Sequence, residues 1–442
     1  MSNGSPILAR RVLARDPGFL RLWAAETVSH LGSNITAFAL PIVAIRLLDA
    51  GPFEVAILNL ADFLPFLLIG LAAGAIVDRL PRRAVLVAGD LGRALLLALI
   101  PLAYLFRILN LALLIGVGFC VGVLTVFFDV AYQSYLPSLI PREDLVEGNS
   151  KLELSRNAAG LIGPGIAGTV IAALRAPVAI LLDAGSFLLS AALLLSIRTR
   201  NPDAPSAAGQ HTAGDSTRGS LRSEIAAGVR FVFGNPALRT IGAATATSNL
   251  FSTMANTLLF LFAIQELHMS EALIGLSFTI SGIGGLVAAA TADRVSRLLG
   301  VGKTILFMAP LAGPFLALVS LGQPDATALN VALLAASGFT GLASGTIYNI
   351  NQVSLRQAIT PEPMQGRMNA TMRWFVWGTI PIGALLGGLL GEGIGIRSTI
   401  ALGGALSTLA FVPLLFGPVP AVRTMPSGVD DAQGLVASRR ND

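Results

Sequence analysis

The sequence predicts an all-α membrane protein in which twelve transmembrane helices form two pseudo-symmetric halves of six. Three observations support this fold class. The 442-residue chain is 54% hydrophobic and only 12% charged, so one soluble core could not bury its apolar side chains. Its apolar runs approach the roughly 20 residues that a helix needs to cross a bilayer. A polar segment in the middle of the chain separates six runs from six more.

The apolar runs give the expected helices and bundles. The first six are 19–47, 53–78, 84–106, 111–136, 153–174 and 178–197. The second six are 238–264, 272–292, 303–321, 328–355, 370–391 and 396–416. We expect them to form an N-terminal bundle over residues 19–198 and a C-terminal bundle over residues 237–416.

The remaining segments are expected on the cytoplasmic side: the N-terminus (1–18), a linker (199–236) and a polar tail (417–442). The linker opens with "TRNPDAPSAAGQHTAGDSTRGS", which is rich in Pro, Gly, Ser and Ala and is therefore expected to be flexible. The residues after it place Leu221, Ile225, Val229 and Val232 on one helical face. This pattern is typical of a helix lying at the membrane surface.

The positions of Lys and Arg predict the orientation, because these residues accumulate in cytoplasmic loops. With both termini inside, only Arg46, Arg107, Arg175 and Arg397 fall in outer loops. We therefore expect a multi-pass protein of the plasma membrane. The calculated pI near 10 follows from this topology and does not indicate a nucleic-acid partner. The single Cys120 excludes a disulfide within the chain.

Two patterns occur once in each half of the chain. An Asp-Arg-x-x-Arg spacing begins at Asp78 in "GAIVDRLPRRAVL", after the second run, and at Asp293 in "ATADRVSRLLGVGKT", expected as the loop after the eighth run. A Pro stands eight residues before an Asn at 141–149 and again at 361–369. Such internal repeats are typical of secondary transporters.

The sequence Gly302-Lys303-Thr304 matches the end of a phosphate-binding loop. Such a loop also needs a glycine five residues before Gly302, where this chain has Arg297. We therefore interpret Lys303 as a cytoplasmic anchor of the ninth span.

The first copy of the Asp-Arg motif resembles the signature loop of the major facilitator superfamily, with Pro81 where that motif usually has Gly. The segments "FFDVAYQSYLPSLIPREDLVEGN" and "GLIGPGIAG" resemble the drug and proton antiporter branch, which includes macrolide efflux pumps and the enterobactin exporter. Gly163, Pro164 and Gly168 look like the antiporter signature on helix 5, in which Ala167 replaces a Gly. They are expected to pack helices together.

The resemblance implies a gate on the cytoplasmic side. Its residues are Gly74, Asp78, Arg79, Arg82, Arg83, Asp129, Asp293, Arg294 and Arg297. In an outward-facing state, Asp78 would cap the start of helix 11 near Asn369, and Arg82 would pair with Asp129. The alternative is that these residues are ordinary interfacial anchors.

Acidic residues inside spans are candidates for proton coupling, because a charge at the bilayer centre costs about 2.5–3.5 kcal/mol or more. Glu26 is the first candidate, followed by Asp62 and Asp90. Asp90 precedes Arg93 by three residues, so the pair has an alternative structural role. Asp183 is expected near the outer end of helix 6, within reach of solvent, and without a function.

Glu26, His30 and Asn34 form a polar stripe on helix 1, which lines the cavity in the family. A carboxylate there could bind and release protons. His30 has the alternative role of a packing residue.

Amide and aromatic side chains inside the spans are the candidate substrate contacts. With the stripe residues His30 and Asn34, the candidates are Tyr132, Asn249, Phe251, Met254, Asn256, Tyr348, Asn349, Asn351 and Trp377. Such residues favour hydrophobic or amphiphilic molecules that are neutral or cationic, because Arg93 is the only cation expected inside a span. The alternative is that some of them only join helices.

The sequence therefore predicts a proton-coupled exporter of hydrophobic or amphiphilic molecules, such as antibiotics, dyes or siderophore-like compounds. The alternative is an uptake carrier or facilitator for a neutral nutrient. Its expected partners are a small-molecule substrate, protons and the lipid bilayer, and the chain is expected to be a monomer. The three His and one Cys are scattered, so we predict no metal, no cofactor and no enzymatic activity.

Overall fold

The computed structural model describes residues 16–77, 79–141, 144–197 and 221–426. Within these ranges, twelve helices are long and apolar enough to span a membrane. The predicted fold class is therefore confirmed. The predicted flexible linker (199–220), Asp78, most of the N-terminus and most of the polar tail lie outside the described residues.

The first half contains six long helices. They are α1 (Pro17–Leu47), α2 (Pro52–Val77), α3 (Arg82–Leu105), α4 (Leu111–Leu139), α5 (Leu145–Leu174) and α6 (Ala176–Ser196). Asp16 caps α1, since its carboxylate accepts from the backbone N–H groups of Gly18 and Phe19. Asn110 caps α4 in the same way.

The second half begins with the linker helix, and four of its spans are made of more than one helical segment. Its helices are α7 (Leu221–Gly234), α8 (Pro236–Asn256), α9 (Leu259–Leu261), α10 (Glu271–Leu299), α11 (Val301–Leu318), α12 (Thr327–Ala358), α13 (Gln365–Trp377), α14 (Thr379–Gly393), α15 (Ile396–Ser407) and α16 (Val412–Leu415). A π-helical turn, Phe262–Glu266, continues the seventh span after α9. The eleventh span breaks between α13 and α14 at Gly378.

Two predicted boundaries are wrong by seven or eight residues, because helices continue past the apolar run into charged turns. α5 begins at Leu145 and α10 ends at Leu299, so the second Asp-Arg motif is helical and does not form a loop. Ion pairs of opposite charge four residues apart support both extensions. Lys151 pairs with Glu147 at 2.6 Å and Arg297 with Asp293 at 2.8 Å.

The repeated Pro and Asn residues occupy equivalent positions in the two halves. α5 begins four residues after Pro141, and α13 begins four residues after Pro361. The repeated Asn therefore lies in the second turn of the fifth span in each half. Asn149 donates to the carbonyl of Leu145, whereas Asn369 accepts from Arg356 of α12.

The hydrophobic cores show how the halves are arranged. We call the side that holds the described chain ends the terminal side, and the opposite side the far side. On the far side, one core cluster contains residues of both halves, such as Ile42 of α1 and Phe262 of the seventh span. On the terminal side the cores are separate, with Phe19 in one and Leu238 in the other. The halves thus meet on the far side and diverge on the terminal side.

Small residues allow the far-side contact between α5 and α10. A Cβ added to Gly168 would lie 2.4 Å from the carbonyl oxygen of Glu271, and one added to Gly275 would lie 2.5 Å from that of Pro164. A side chain at either position would therefore separate these helices. Arg46 adds an ion pair with Glu271 at 3.4 Å, which joins the end of α1 to the start of α10.

The linker helix α7 packs against the eleventh span. A Cβ on Gly228 would lie 3.0 Å from the carbonyl oxygen of Arg367, and the ring of Phe233 contacts that of Phe375 edge-on at 5.4 Å. Ile225 and Val229 of the predicted apolar face are exposed, whereas Val232 is buried. Contact with the membrane surface remains a prediction for this helix.

Gly302 has a structural role that explains the Gly-Lys-Thr sequence. The N–H groups of Val301 and Gly302 donate to the carbonyls of Arg423 and Val422, so the segment after α16 is anchored at the start of α11. A Cβ on Gly302 would lie 1.8 Å from the carbonyl oxygen of Val419. Only glycine allows this approach.

We expect Gly302→Ala to destabilise the protein by about 1–3 kcal/mol, as overpacking typically does. The Val419 carbonyl belongs to the backbone, so relief requires this segment to detach from α11. Thermal unfolding of the purified protein in detergent measures the effect. Gly285→Ala is the matched control, since the nearest atom to a Cβ there is 4.0 Å away. Equal melting temperatures for the two variants would contradict the prediction.

Candidate functional site

Glu26 lies inside the first half and is 6% exposed. Its Oε2 is 3.5 Å from Nε2 of His30, one turn along α1. Its Oε1 is buried and accepts no hydrogen bond from any described residue. Arg93, Asp90 and Asp129 are its electrostatic neighbours. An acidic side chain in this position is poorly compensated when ionised, which is the environment of a group that exchanges protons.

Asp90 and Arg93 form a closed network beside Glu26. Arg93 donates to Oδ1 of Asp90 at 2.5 Å, and Ser190 donates to Oδ2 at 2.6 Å. The guanidinium lies 4.2 Å from the ring centres of both Phe128 and Phe187. With both carboxylate oxygens occupied, Asp90 suits the structural role that the sequence left open.

The expectation that solvent reaches Asp183 is wrong. This residue is 1% exposed, because α6 packs it against α1 and not toward the outer solvent. Thr36 donates to its Oδ2 at 2.5 Å and Ser186 to its Oδ1 at 3.0 Å. Gly32 leaves the necessary room, since a Cβ there would lie 2.5 Å from Oδ1. Asp183 therefore joins two helices of the first half.

Asp62 and Asp129 differ from Asp90 and Asp183 in exposure and in hydrogen bonding. Asp62 is exposed and Asp129 is half-buried, and neither forms a hydrogen bond or ion pair with another described residue. Asp129 has Arg93 and Arg156 as electrostatic neighbours. Both carboxyl groups thus remain available for a proton or a new partner, and Asp62 stays the second candidate for coupling.

The described residues of the predicted gate lie on the terminal side, where the halves diverge. Arg82 donates to the carbonyl of Ser134 at 3.0 Å, and Arg83 donates to the carbonyl of Leu194 at 2.9 Å. A Cβ on Gly74 would meet no atom within 4 Å. Arg79, Asp293, Arg294 and Arg297 are exposed. The closed gate, with Asp78 at helix 11 and Arg82 on Asp129, stays a prediction for the opposite conformation.

A cavity of about 640 Å³ lies within the second half. Its polar wall is formed by Thr245, Ser248, Asn249, Ser252 and Asn256 of α8, by Ser337, Ser344, Tyr348, Asn349, Gln352 and Arg356 of α12, by Arg373 of α13 and by Ser407 of α15. Its apolar wall includes Phe278, Met308, Ala309, Ala312, Leu316, Met372, Val376 and Trp377. This volume and mixture of side chains suit a drug-sized amphiphilic molecule.

Five predicted substrate contacts line this cavity: Asn249, Asn256, Tyr348, Asn349 and Trp377. Tyr348 is held by a 2.7 Å hydrogen bond to Thr245, which connects α12 with α8. Asn249 donates to the carbonyl of Val376 at 3.2 Å. The cavity is thus formed where α8, α12 and α13 face one another.

Three other predicted contacts in the second half are placed elsewhere. The rotation of α8 turns Phe251 and Met254 away from the cavity, since their carbonyls lie against Gly403 of α15 and Gly387 of α14. Asn351 accepts a 2.7 Å hydrogen bond from Ser296 and so joins α12 to α10. For Asn351, the alternative role of joining helices therefore applies.

The candidates of the first half do not line the cavity either. His30 lies beside Glu26, and Asn34 donates to the carbonyl of His30 at 2.7 Å. Asn34 also fills the space that Gly163 leaves, since a Cβ there would lie 2.7 Å from its Cγ. Tyr132 stacks on Phe128 at 6.4 Å.

The expectation that no cation other than Arg93 is available to a substrate inside the protein is wrong. Arg356 and Arg373 both line the cavity, whereas Arg93 is buried in the first half. The positive-inside rule had placed both residues in cytoplasmic segments. α12 continues to Ala358, however, and α13 starts at Gln365. The spacing of Asn349, Gln352 and Arg356 at one helical face was the signal that could have identified Arg356.

Comparison with known proteins defines the class to which this fold and cavity belong. The family model described as "Transmembrane secretion effector" matches residues 13–432. The chain belongs to this family of major facilitator superfamily transporters, and it is not an enzyme. The multidrug efflux pump Tap of Mycolicibacterium fortuitum is 28% identical over 398 residues, which cover 87% of this chain and 91% of Tap.

Two further similarities agree with this assignment. The enterobactin exporter EntS of Citrobacter koseri is 28% identical over 403 residues, which cover 88% of this chain and 89% of EntS. The crystal structure of a bacterial homologue of the iron transporter ferroportin in an inward-facing state has a TM-score of 0.70 at 18% identity. That match covers 90% of this chain and 98% of the other, and it shows a shared fold.

Proposed function

We propose that the protein exports hydrophobic or amphiphilic small molecules by alternating access, in exchange for protons. The observation that supports transport best is the asymmetric contact between the halves, which share a core on the far side and diverge on the terminal side. A transporter in this conformation admits its substrate from the terminal side. Rocking of the halves would then open the far side.

The direction of export rests on the orientation of the chain. Lys and Arg are concentrated on the terminal side, which the positive-inside rule places in the cytoplasm. The cavity would therefore take up its substrate from the cytoplasm. The relatives described as a multidrug efflux pump and an enterobactin exporter support the same direction.

Proton exchange rests on Glu26. Its buried and unpartnered Oε1 lies in the first half, while the cavity lies in the second. A proton bound at Glu26 and a substrate bound in the cavity can therefore both bias the same rocking motion without competing for one pocket. If the protein moves a proton inward in one conformational change and a substrate outward in the other, proton entry drives substrate export.

Dye accumulation in pump-deficient cells tests export. Cells that produce the chain are compared with cells carrying an empty vector, using fluorescent amphiphiles of positive, zero and negative charge, with and without a protonophore. We expect lower accumulation of at least one dye, and we expect the protonophore to abolish the difference. Higher accumulation in producing cells would instead favour an uptake carrier. Unchanged accumulation of every dye by inserted protein would contradict general export.

A further inference from the structure

Two arginines, Arg356 and Arg373, line the cavity. Arg356 occupies the last turn of α12, and its Nη2 donates to Oδ1 of Asn369 at 3.2 Å. Arg373 follows Asn369 by four residues on α13, so both residues lie on one helical face. Arg356 and Arg373 line the same cavity, and the guanidinium group of Arg373 lies further along α13, beside Trp377.

Hydrogen bonds hold the side chain of Arg356 in place, but no acidic residue among those described neutralises its charge. Nη1 donates to Oε1 of Gln352 at 3.1 Å, and Gln352 in turn donates to Asn349 at 2.7 Å. Its buried Nε has no acceptor among the described residues. Neutral amides thus fix the guanidinium of the half-buried Arg356 in place, although a charge that is partly removed from water normally acquires a partner of opposite charge.

Arg373 is exposed toward the cavity and has no counter-ion among the described residues. Its guanidinium carbon lies 4.5 Å from the ring centre of Trp377, a cation–π arrangement that leaves the N–H donors at the rim of the group available. No described carboxylate forms an ion pair with Arg356 or Arg373. Among the described residues, the buried acidic side chains are Glu26, Asp90 and Asp183, which all lie in the other half.

We propose that Arg356 and Arg373 bind the anionic group of an amphiphilic substrate, such as a carboxylate, sulfonate or phosphate. The proposal rests on the proposed function and specifies its substrate class. The apolar part of the molecule would lie on Trp377 and on the deeper wall at Met308, Ala312 and Leu316. Guanidinium groups bind such anions with several charge-assisted hydrogen bonds.

This arrangement predicts charge selectivity and not only affinity. A matched cation would bring its charge toward two arginines that have no compensating carboxylate, which disfavours its binding. A neutral analogue would gain the apolar contacts but leave the arginine donors unused. The preference expected from the amides and aromatics alone, for neutral or cationic molecules, is thereby reversed.

Binding of two matched fluorescent probes tests the proposal without requiring transport. Anilinonaphthalene sulfonate and N-phenylnaphthylamine share an aromatic body but differ in the sulfonate. Each is titrated onto the full chain in phosphatidylcholine nanodiscs, with empty nanodiscs as background. We expect Arg356→Gln and Arg373→Gln each to weaken sulfonate binding by about tenfold, as loss of one charge-assisted contact implies. Binding of the neutral probe should change little.

Arg239→Gln is the matched control, since it removes an exposed positive charge from the same side, outside the cavity. Equal loss of both probes in the Arg356 and Arg373 variants, or equal loss of sulfonate binding in the control, would overturn the proposal. Competition by added phosphatidylglycerol that depends on both arginines would assign the site to an anionic lipid and also overturn it. Charge-selective binding with no export in cells would contradict the proposed function alone.

Discussion

Replacing Glu26 with Gln is expected to abolish proton-driven accumulation of substrate while preserving substrate exchange across the membrane. Glutamine has the shape of the protonated side chain, so the packing around this buried position should persist. It cannot release a proton, however, and the cycle of protonation is lost. The variant should therefore move substrate down its gradient but not against it.

The expected loss of substrate accumulation in Glu26→Gln is large. One proton crossing a membrane potential of 100 mV releases about 2.3 kcal/mol, which supports a concentration ratio of tens-fold at about 1.4 kcal/mol per decade. Proteoliposomes measure both properties with the same substrate. An imposed pH gradient and potential drive accumulation, whereas exchange of labelled for unlabelled substrate requires no driving force.

Two further variants separate coupling from general damage. Glu26→Asp keeps a titratable group one methylene shorter, so we expect part of the accumulation to remain. Glu392→Gln removes an exposed carboxylate at the end of α14 and should behave as the wild type. Full uphill transport by Glu26→Gln would remove Glu26 from the mechanism and make Asp62 the next candidate.

The sequence predicts the fold well because the length of an apolar run is a local property that the bilayer selects. All twelve spans follow from it, and α1 and α6 end within two residues of their predicted limits. The start of α5 and the end of α10 do not follow from it, because both helices continue through charged turns that an apolar count leaves out. The break between α13 and α14 is also missed, since nothing in an apolar count identifies one glycine as a break.

The site is predicted less completely, because side-chain direction depends on how each helix is rotated in its bundle. Glu26 lies within α1, as expected, and is buried. Met254 and Asn256 lie two residues apart on α8, but only Asn256 faces the cavity. Asp183 is buried because a neighbouring helix offers Thr36 and Gly32, which no local pattern reveals. Arg356 and Arg373 are missed for a related reason: a rule that assigns charges to loops cannot say which ones turn inward.

Replacing Gly168 with Val is expected to prevent the far side from closing and so to stop transport. A Cβ at this position would lie 2.4 Å from the carbonyl oxygen of Glu271 and 3.0 Å from Cα of Gly275. Both are backbone atoms, so no rotation of a side chain relieves the overlap. The conformation that is open on the terminal side requires close contact between α5 and α10. The opposite conformation, which is open on the far side, separates these two helices. The variant should therefore shift toward the outward-open conformation.

Labelling of a cysteine on the terminal side measures this shift. Gly160→Cys in a Cys120→Ser background places a thiol one turn from Pro164, where no atom lies within 4 Å of a Cβ. A maleimide reagent should label it readily when Gly168 is present and about tenfold more slowly with Gly168→Val, in proportion to the remaining open population.

Gly185→Val is the matched control, since a Cβ there also meets no atom within 4 Å. If Gly168→Val labels and transports like this control, the far-side contact of α5 and α10 is not the element that limits opening. In that case the Arg46–Glu271 ion pair and the shared core would have to hold the far side closed.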